Sequence, residues 1–177
     1  MPSKQFQFHN EARESILRGA GILADAVRVT LGPKSKCVLI EKRFGRPMVC
    51  DDGVTIAKEV ELKNPEENLG SQMVREAAER TGDAVGDGTT TSTLLAYATL
   101  AEGVRNVAAG ASAVDLKRGL TRGVHAAVES LRKASRPVTT KLEKEQVATI
   151  SAHNNSTIGK LVAEAVEKPS AVMLAVV

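Results

Sequence analysis

The sequence is short of aromatic residues, and this shortage limits the kinds of core and of partner that the protein can have. Among its 177 residues are three Phe, one Tyr and no Trp. A core must therefore be built mainly from Ala, Val, Leu and Ile, which suits close-packed helices. The 24 basic and 21 acidic residues are interspersed and give a formal net charge of only +3. Together with the scarcity of aromatics, this mild charge gives no support to a nucleic-acid-binding surface.

Cysteines and long apolar runs are also scarce. The two cysteines, Cys37 and Cys50, fit no metal-ligand spacing. The N-terminus shows no secretory signal pattern, so we expect reduced thiols and a cytoplasmic protein. No apolar run approaches the ~20 residues of a membrane span, so no membrane partner is expected. The histidines are scattered, which favours surface or capping roles over catalysis: His9, His125 and His153.

The first thirty residues predict a short strand and then a helix. Within residues 1–8, Phe6 and Phe8 alternate with polar neighbours, as the side chains of a short strand do. Asn10 is a candidate N-cap for a helix in which apolar residues recur at helical spacing up to Val27. This helix is predicted to end at residues 31–33, Leu-Gly-Pro, because Gly favours the C-terminal turn and Pro cannot continue a helix.

A β-hairpin is predicted next. Residues 37–41 and 47–50 have the composition of two short strands, joined around Phe44 and Gly45. A turn at residues 51–53, Asp-Asp-Gly, is predicted to end the hairpin.

Residues 66–136 contain no proline, and this interval predicts three long helices. The first ends near Gly86. The second starts at Thr89, and its segment 93–101 is apolar almost all round, which is typical of a helix buried on every side. Gly110 ends it, and a third, amphipathic helix follows. The apolar stripe of the first helix is Leu69, Met73, Ala77 and Thr81, and that of the third is Leu116, Leu120, Val124, Ala127 and Leu131.

The composition changes after Pro137. Two shorter helices, about residues 143–150 and 156–167, flank a polar stretch and predict a small separate module or connector. The last seven residues, 171–177, are all apolar and resemble a strand without a partner. An unpaired apolar strand favours aggregation.

The most informative segment is 86–91, Gly-Asp-Gly-Thr-Thr-Thr, between the first two long helices. Unpaired N–H groups and the positive end of the dipole at a helix N-terminus favour anions. The glycines let the backbone approach a ligand, and the threonine hydroxyls can donate to phosphate oxygens. Asp87 would repel a bare phosphate, but its carboxylate is well placed if Mg²⁺ lies between the two. The segment therefore predicts a nucleotide–Mg²⁺ site.

The same six residues also have a simpler interpretation. Gly-Asp-Gly is ordinary turn chemistry, and a threonine after a turn is a routine helix cap. The sequence has no Gly-x-x-x-x-Gly-Lys-Ser/Thr motif, and Thr91 stands where a dinucleotide fingerprint requires Gly or Ala. From these residues alone, both interpretations stay open.

Several segments, in this order and spacing, resemble one family, the group I chaperonins of the bacterial GroEL type. The similarity runs from about residue 4 to residue 168, and it is specific because the segments occur together. They are residues 24–33 (ADAVRVTLGP), 52–57 (DGVTIA), 86–91 (GDGTTT), 108–110 (AAG), 115–119 (DLKRG) and 149–152 (TISA).

The resemblance implies a subunit of an ATP-driven machine that assists protein folding and refolding. Such subunits form a homo-oligomeric ring, and their partners are unfolded client proteins and a co-chaperonin. The implied fold is mainly α, a chaperonin equatorial-domain-like helical bundle with a small β-hairpin. Residues 1–136 would be the N-terminal part of the equatorial ATP-binding domain, 137–168 the first part of the intermediate hinge domain, and 169–177 a divergent apolar tail.

The resemblance also implies roles for individual residues. Asp52 would help to activate the attacking water, and Asp87 would bind Mg²⁺. The resemblance further implies that two loops hold the phosphates of ATP, and we expect both loops to face one cleft. The first loop is Thr30, Leu31, Gly32 and Pro33, and the second is Asp87, Gly88, Thr89, Thr90 and Thr91.

Two departures from the family pattern affect the expected activity. Asp51 stands where bacterial relatives often carry Lys or Asn, and a further negative charge near a polyphosphate lowers affinity unless a cation screens it. The family pattern also gives way after Lys168, so we expect the apical domain and the returning half of the equatorial domain to be absent.

Three interpretations of function follow. The first is a chaperonin ATPase that assists folding. The second is a chaperonin fragment that binds Mg·ATP weakly and hydrolyses it slowly or not at all. The third is an unrelated helical nucleotide-binding or scaffold module, which would bind no nucleotide but hold one defined partner.

Overall fold

The computed structural model describes residues 9–32, 35–42 and 45–167, and these residues are mostly helical. The predicted mainly α fold with a small β-hairpin is confirmed. The elements in chain order are α1 (His9–Arg28), β1 (Val38–Ile40), β2 (Met48–Cys50), α2 (Gly53–Glu59), α3 (Pro65–Val85), α4 (Thr89–Ala108), α5 (Ala113–Ala134), α6 (Lys141–Ser151) and α7 (Ser156–Glu167).

The chain divides into two compact units. The first extends to Leu120 and the second begins at Thr121, so the boundary falls within α5. This division does not test where the functional domains begin and end, and the domain boundaries inferred from the sequence stay a prediction. Within the described residues, no helix combines the length and the apolar character needed to cross a membrane.

In the first unit, α1 packs against α3 and α4. Glycines lie at the point where α1 and α3 cross. A Cβ on Gly19 would lie 1.7 Å from the carbonyl oxygen of Glu67, and one on Gly70 would lie 2.0 Å from that of Ile16. Because only Gly lacks a Cβ, the two helix backbones touch directly here. The fully buried side chains of the core include Leu23, Val27, Ile56 and Val74.

The hairpin covers one edge of this core. β1 and β2 are antiparallel, with Val38 opposite Cys50 and Ile40 opposite Met48. Cys50 is buried, whereas Val49 is exposed, as the alternation of side chains along a strand requires. The predicted hairpin is confirmed, although Phe44 in its connection lies outside the described residues.

Glycines and polar caps set the ends of α3 and α4. Asn64 caps α3 by accepting hydrogen bonds from the N–H groups of Glu66 and Glu67. Gly86 ends α3 with a left-handed φ of 74°, where a side chain would be strained. Gly110, with φ 98°, lies just beyond α4. The predicted stops at these two glycines are confirmed.

In the second unit, α6 packs against α7. The two predicted short helices are confirmed. Gly159 allows their close approach, because a Cβ there would lie 2.0 Å from the hydroxyl oxygen of Thr149. Thr140 and Glu143 form a reciprocal capping box at the start of α6. The connection between the helices contains two non-glycine residues at positive φ, His153 and Asn154.

The predicted positions of several elements and faces were wrong. Asn10 is not the N-cap of α1 but lies inside the helix, where its side chain accepts a hydrogen bond from Arg13. The seven-residue helix α2 replaces the end of the predicted turn at 51–53. The strand predicted at residues 1–8 and the apolar run 171–177 lie outside the described residues.

The buried faces of α3 and α4 also differ from the prediction. On α3, Leu69 and Met73 are half exposed, and the buried residues are Gly70, Ser71, Val74 and Ala78. Small residues are buried because the helices meet through their backbones. On α4, Thr93 is buried but Leu95 is 63% exposed, so α4 is not buried on every side.

Candidate nucleotide-binding site

The first predicted phosphate loop follows the end of α1. Thr30 donates from its backbone N–H and from its hydroxyl to the carbonyl oxygen of Val27, at 3.1 and 2.9 Å. Leu31 is 52% exposed, and Gly32 has a left-handed φ of 87°. The chain therefore turns away from the helix with the Thr30 hydroxyl held against its last turn. Pro33, the fourth predicted member of this loop, lies outside the described residues.

The second predicted loop is a tight turn between α3 and α4. Gly86 and Gly88 both have left-handed φ values, 74° and 79°, which Gly adopts without strain. Asp87 lies between them and is exposed. Its carboxylate oxygen Oδ1 accepts a hydrogen bond from the N–H of Gly88 at 2.6 Å. The turn therefore presents a carboxylate to solvent just ahead of a helix N-terminus.

The first turn of α4 receives no side-chain cap from its N-cap residue. Its N-cap is Gly88, which makes no side-chain cap hydrogen bond. The first backbone hydrogen bond of the helix runs from Ser92 N–H to the Gly88 carbonyl. The N–H groups of Thr89, Thr90 and Thr91 thus lie in the orphan first turn, where the helix dipole is positive. A phosphate is the kind of ligand that this end favours.

The two loops meet in space. The hydroxyl oxygens of Thr30 and Thr90 lie 3.3 Å apart. A Cβ on Gly53, the first residue of α2, would lie 2.3 Å from the Thr90 hydroxyl oxygen. The end of α1, the start of α2 and the start of α4 therefore converge on Thr90.

Asp52 stands at the start of α2 as its N-cap. Its Oδ2 accepts two hydrogen bonds from Thr55, one from the backbone N–H at 2.9 Å and one from the hydroxyl at 2.5 Å. The buried thiol of Cys50 donates to the backbone carbonyl of Asp52 at 3.6 Å. Asp52 is half buried, so its carboxylate is both fixed and reachable.

The described residues of this site do not supply a complete set of protein ligands for a metal ion. Among the described residues, no group of three or more His, Cys, Asp or Glu side chains could hold a metal ion. Mg²⁺ commonly binds one or two carboxylates, several waters and substrate phosphates. The exposed carboxylate of Asp87 lies beside a helix N-terminus, which favours phosphate. This arrangement fits that mode of binding, in which a nucleotide would supply further ligands.

The structure brings most of the predicted site residues into one region. Thr30 and Thr90 are in contact, and the backbone of α2 ties Asp52 to the same place through Gly53. Gly53 and Thr55 also belong to this region, although they were not predicted to do so. The spacing Asp52-x-x-Thr55 carried a usable signal, since an N-cap carboxylate accepts from the residue three positions later.

Comparisons with known proteins show which family the sequence resembles. The pattern of the TCP-1/cpn60 chaperonin family matches residues 23–174. Chaperonin GroEL 5 of Bradyrhizobium diazoefficiens is 67% identical over 168 residues, which are 95% of this chain and 31% of that protein. This chain thus spans about a third of the length of that relative.

Two solved structures share the fold. A group III chaperonin in the open state matches with a TM-score of 0.72 and 27% identity, over 94% of this chain and 32% of the other. The chaperonin gp146 from the bacteriophage EL 2 (Pseudomonas aeruginosa), in the presence of ATP-BeFx, matches with a TM-score of 0.74 and 25% identity, over 88% of this chain and 28% of the other.

Proposed function

Because the chain belongs to the TCP-1/cpn60 chaperonin family, we propose that it carries the phosphate-binding half of the Mg·ATP site of a chaperonin subunit. The family uses ATP, and the resemblance to the GroEL type is supported by 67% identity to a GroEL relative. The observation that carries the proposal is the contact between Thr30 and Thr90, because it brings together the two loops that we propose bind phosphate.

We propose a role for most of the site residues. The uncapped N–H groups of Thr89–Thr91 and the Thr90 hydroxyl would bind phosphate oxygens. Asp87 would hold Mg²⁺, which when bound screens the phosphate charge and orients the transferred group. Asp52 would accept a proton from the attacking water. The phosphates would also be approached closely by the backbone of Leu31, Gly32 and Gly88. We propose the same role for Pro33.

The proposal extends to the activity of a whole chaperonin subunit. We propose assistance of protein folding coupled to ATP hydrolysis, with unfolded client proteins and a co-chaperonin as partners and a homo-oligomeric ring as the assembly. The cytoplasm is the proposed location, because the bacterial relative is a GroEL chaperonin.

Weak nucleotide binding by this chain alone is the second candidate, and the surface of α5 favours it. None of the residues of α5 is buried, although the helix is amphipathic. Val124 is 61% exposed and Leu131 is 69% exposed. Exposed apolar area forgoes ~25 cal/mol per Å² of possible burial. Under this second candidate, we expect the chain to associate through its apolar surface and to bind nucleotide weakly.

Calorimetric titration with Mg·ATP tests the binding site. Wild type is compared with Asp87→Asn and with Asp83→Asn, a matched control because Asp83 is also exposed and lies four positions earlier. We expect Asp87→Asn to lose the Mg²⁺ dependence of binding and Asp83→Asn to keep it. Equal Mg²⁺-dependent binding by wild type and Asp87→Asn would overturn the metal role of Asp87.

Steady-state hydrolysis separates the first candidate from the second. Turnover that Asp52→Asn abolishes, with binding retained, supports the chaperonin ATPase. Binding without any turnover supports the weakly active fragment. No nucleotide binding at all would contradict both.

A further inference from the structure

We propose that Thr55 is a positioning residue for Asp52, and that its hydroxyl fixes the carboxylate so that Oδ1 faces the reacting water. The inference rests on the proposed function, since it deepens the role of Asp52. It is carried by the geometry at the start of α2, where one residue donates twice to one carboxylate oxygen.

Capping alone needs only one of these two hydrogen bonds. The N–H of Thr55 at 2.9 Å from Oδ2 already satisfies an orphan donor of the helix. The hydroxyl adds a second, shorter bond of 2.5 Å to the same oxygen. Such a length is typical of a strong hydrogen bond to a charged carboxylate. Two donors on Oδ2, one from the backbone and one from a side chain, hold the Asp52 side chain in one rotamer, which a single donor leaves freer.

The other carboxylate oxygen is left for a ligand. Among the described residues, no donor contacts Oδ1 of Asp52, since both bonds to its side chain end on Oδ2. A general base needs one oxygen within hydrogen-bond reach of the proton that it accepts. Occupying Oδ2 with Thr55 therefore assigns that task to Oδ1.

The fixed carboxylate is also anchored to the phosphate loop. Gly53 follows Asp52 directly, and a Cβ there would lie 2.3 Å from the hydroxyl oxygen of Thr90. The backbone of α2 thus rests on the same threonine that contacts Thr30 at 3.3 Å. Restricting the Asp52 side chain on this anchored backbone sets the distance from its free oxygen to a bound phosphate.

The test compares Thr55→Val, Thr55→Ser and wild type. Val keeps the branched shape and the backbone N–H but removes the hydroxyl, and Ser keeps the hydroxyl. Thr81→Val is the matched control, because Thr81 also donates its hydroxyl within its own helix, to Ala77 at 2.9 Å, but that bond does not involve Asp52.

The first readout is the side-chain rotamer of Asp52, measured by three-bond NMR couplings in the full chain without nucleotide. We expect one rotamer in wild type, Thr55→Ser and Thr81→Val, and averaged rotamers in Thr55→Val. A purely structural role of Thr55 would change the melting temperature without changing these couplings. A single unchanged rotamer in Thr55→Val would overturn the proposal.

The second readout is ATP turnover. We expect Thr55→Val to lower kcat between about tenfold and a hundredfold with KM within about twofold, because only the reacting geometry is disturbed. Thr55→Ser should restore most of kcat. A normal kcat in Thr55→Val would overturn the positioning role. Absence of turnover in wild type would instead contradict the hydrolysis part of the proposed function, and the rotamer measurement would still decide the role of Thr55.

Discussion

Thr30 and Thr90 lie 60 positions apart in the sequence, and their hydroxyl oxygens are 3.3 Å apart in the structure. The Thr30 hydroxyl donates its one proton to the carbonyl oxygen of Val27 at 2.9 Å, so it can only accept from Thr90. Thr90 is therefore the donor of the pair. A phosphate that binds at the first turn of α4 can replace Thr30 as the acceptor of this proton.

A double-mutant cycle tests this hydrogen bond. We expect Thr30→Val and Thr90→Val to couple by about 0.5–1.5 kcal/mol in the free energy of unfolding, because either single change already removes the bond. Urea denaturation of the four proteins measures the coupling. The control cycle pairs Thr30→Val with Thr91→Val, since Thr91 is exposed, and it should show a coupling near zero. Equal coupling energies in the two cycles would contradict a specific hydrogen bond between Thr30 and Thr90.

Substitution of Gly53 should damage the nucleotide site. In Gly53→Ala the new methyl would lie 2.3 Å from the Thr90 hydroxyl oxygen and 3.2 Å from the side chain of Val27. Because Thr90 must move, we expect at least about a tenfold loss in Mg·ATP affinity, measured by calorimetry, and a loss of stability of about 1–3 kcal/mol. Gly119→Ala is the control, since a Cβ there meets nothing within 4 Å. Unchanged affinity in Gly53→Ala would show that α2 does not support the phosphate loop.

The crossing of α1 and α3 should not tolerate a side chain. Gly70→Ala would place a methyl 2.0 Å from the backbone oxygen of Ile16, and backbone cannot give way as a flexible side chain can. We expect a destabilisation of at least about 2 kcal/mol in urea denaturation. Gly103→Ala, in a helix with open space around the new Cβ, should instead stabilise by about 0.5–1 kcal/mol. Similar effects of the two changes would mean that the helices do not meet at Gly70.

The N-terminus of α6 should be sensitive to acid. The backbone N–H of Thr140, then the N–H of Thr139 and then the Thr140 hydroxyl donate to Glu143 and hold its pKa below the usual value. A lowered folded-state pKa means that this stabilisation is complete above the unfolded-state pKa and is lost as the pH falls through the folded-state one. We expect amide protection at residues 139–143, followed by hydrogen exchange, to fall as the pH drops below the usual pKa of a glutamate side chain.

Glu143→Gln provides the control for this effect. The amide keeps the shape of the side chain but does not titrate in this range. The acid-dependent loss of protection should therefore disappear in Glu143→Gln. The same loss in both proteins would show that another group controls the first turn of α6.

Asp51 should weaken nucleotide binding. It is exposed and directly precedes Asp52, so its negative charge lies near the phosphates in the proposed site. Two unit charges 4 Å apart in water interact by about 1 kcal/mol. We therefore expect Asp51→Asn to tighten ATP binding by roughly fivefold, and by more at low Mg²⁺, as measured by calorimetry. Weaker binding in Asp51→Asn than in the Asp83→Asn control would overturn this prediction.

Several features of the fold could be predicted from short stretches of sequence. The stops at Gly86 and Gly110 and the hairpin of β1 and β2 depend on turn chemistry that neighbouring residues supply. The short helix α2 escaped prediction because seven residues give too few turns for a clear apolar period. The buried face of α3 escaped it because periodicity favours large residues such as Leu69, whereas the crossing with α1 selects Gly70 and Ser71.

The sequence by itself determined the local chemistry of this protein: a loop after α1, an acid between two glycines, and three threonines at a helix start. Local hydrogen bonds and backbone preferences suffice for these features. Only the tertiary structure decided that Thr30, Gly53 and Thr90 share one place. Such contacts depend on how α1, α2 and α4 pack, and packing is set by backbones that approach through glycine and by the shared core, which no single stretch of sequence contains.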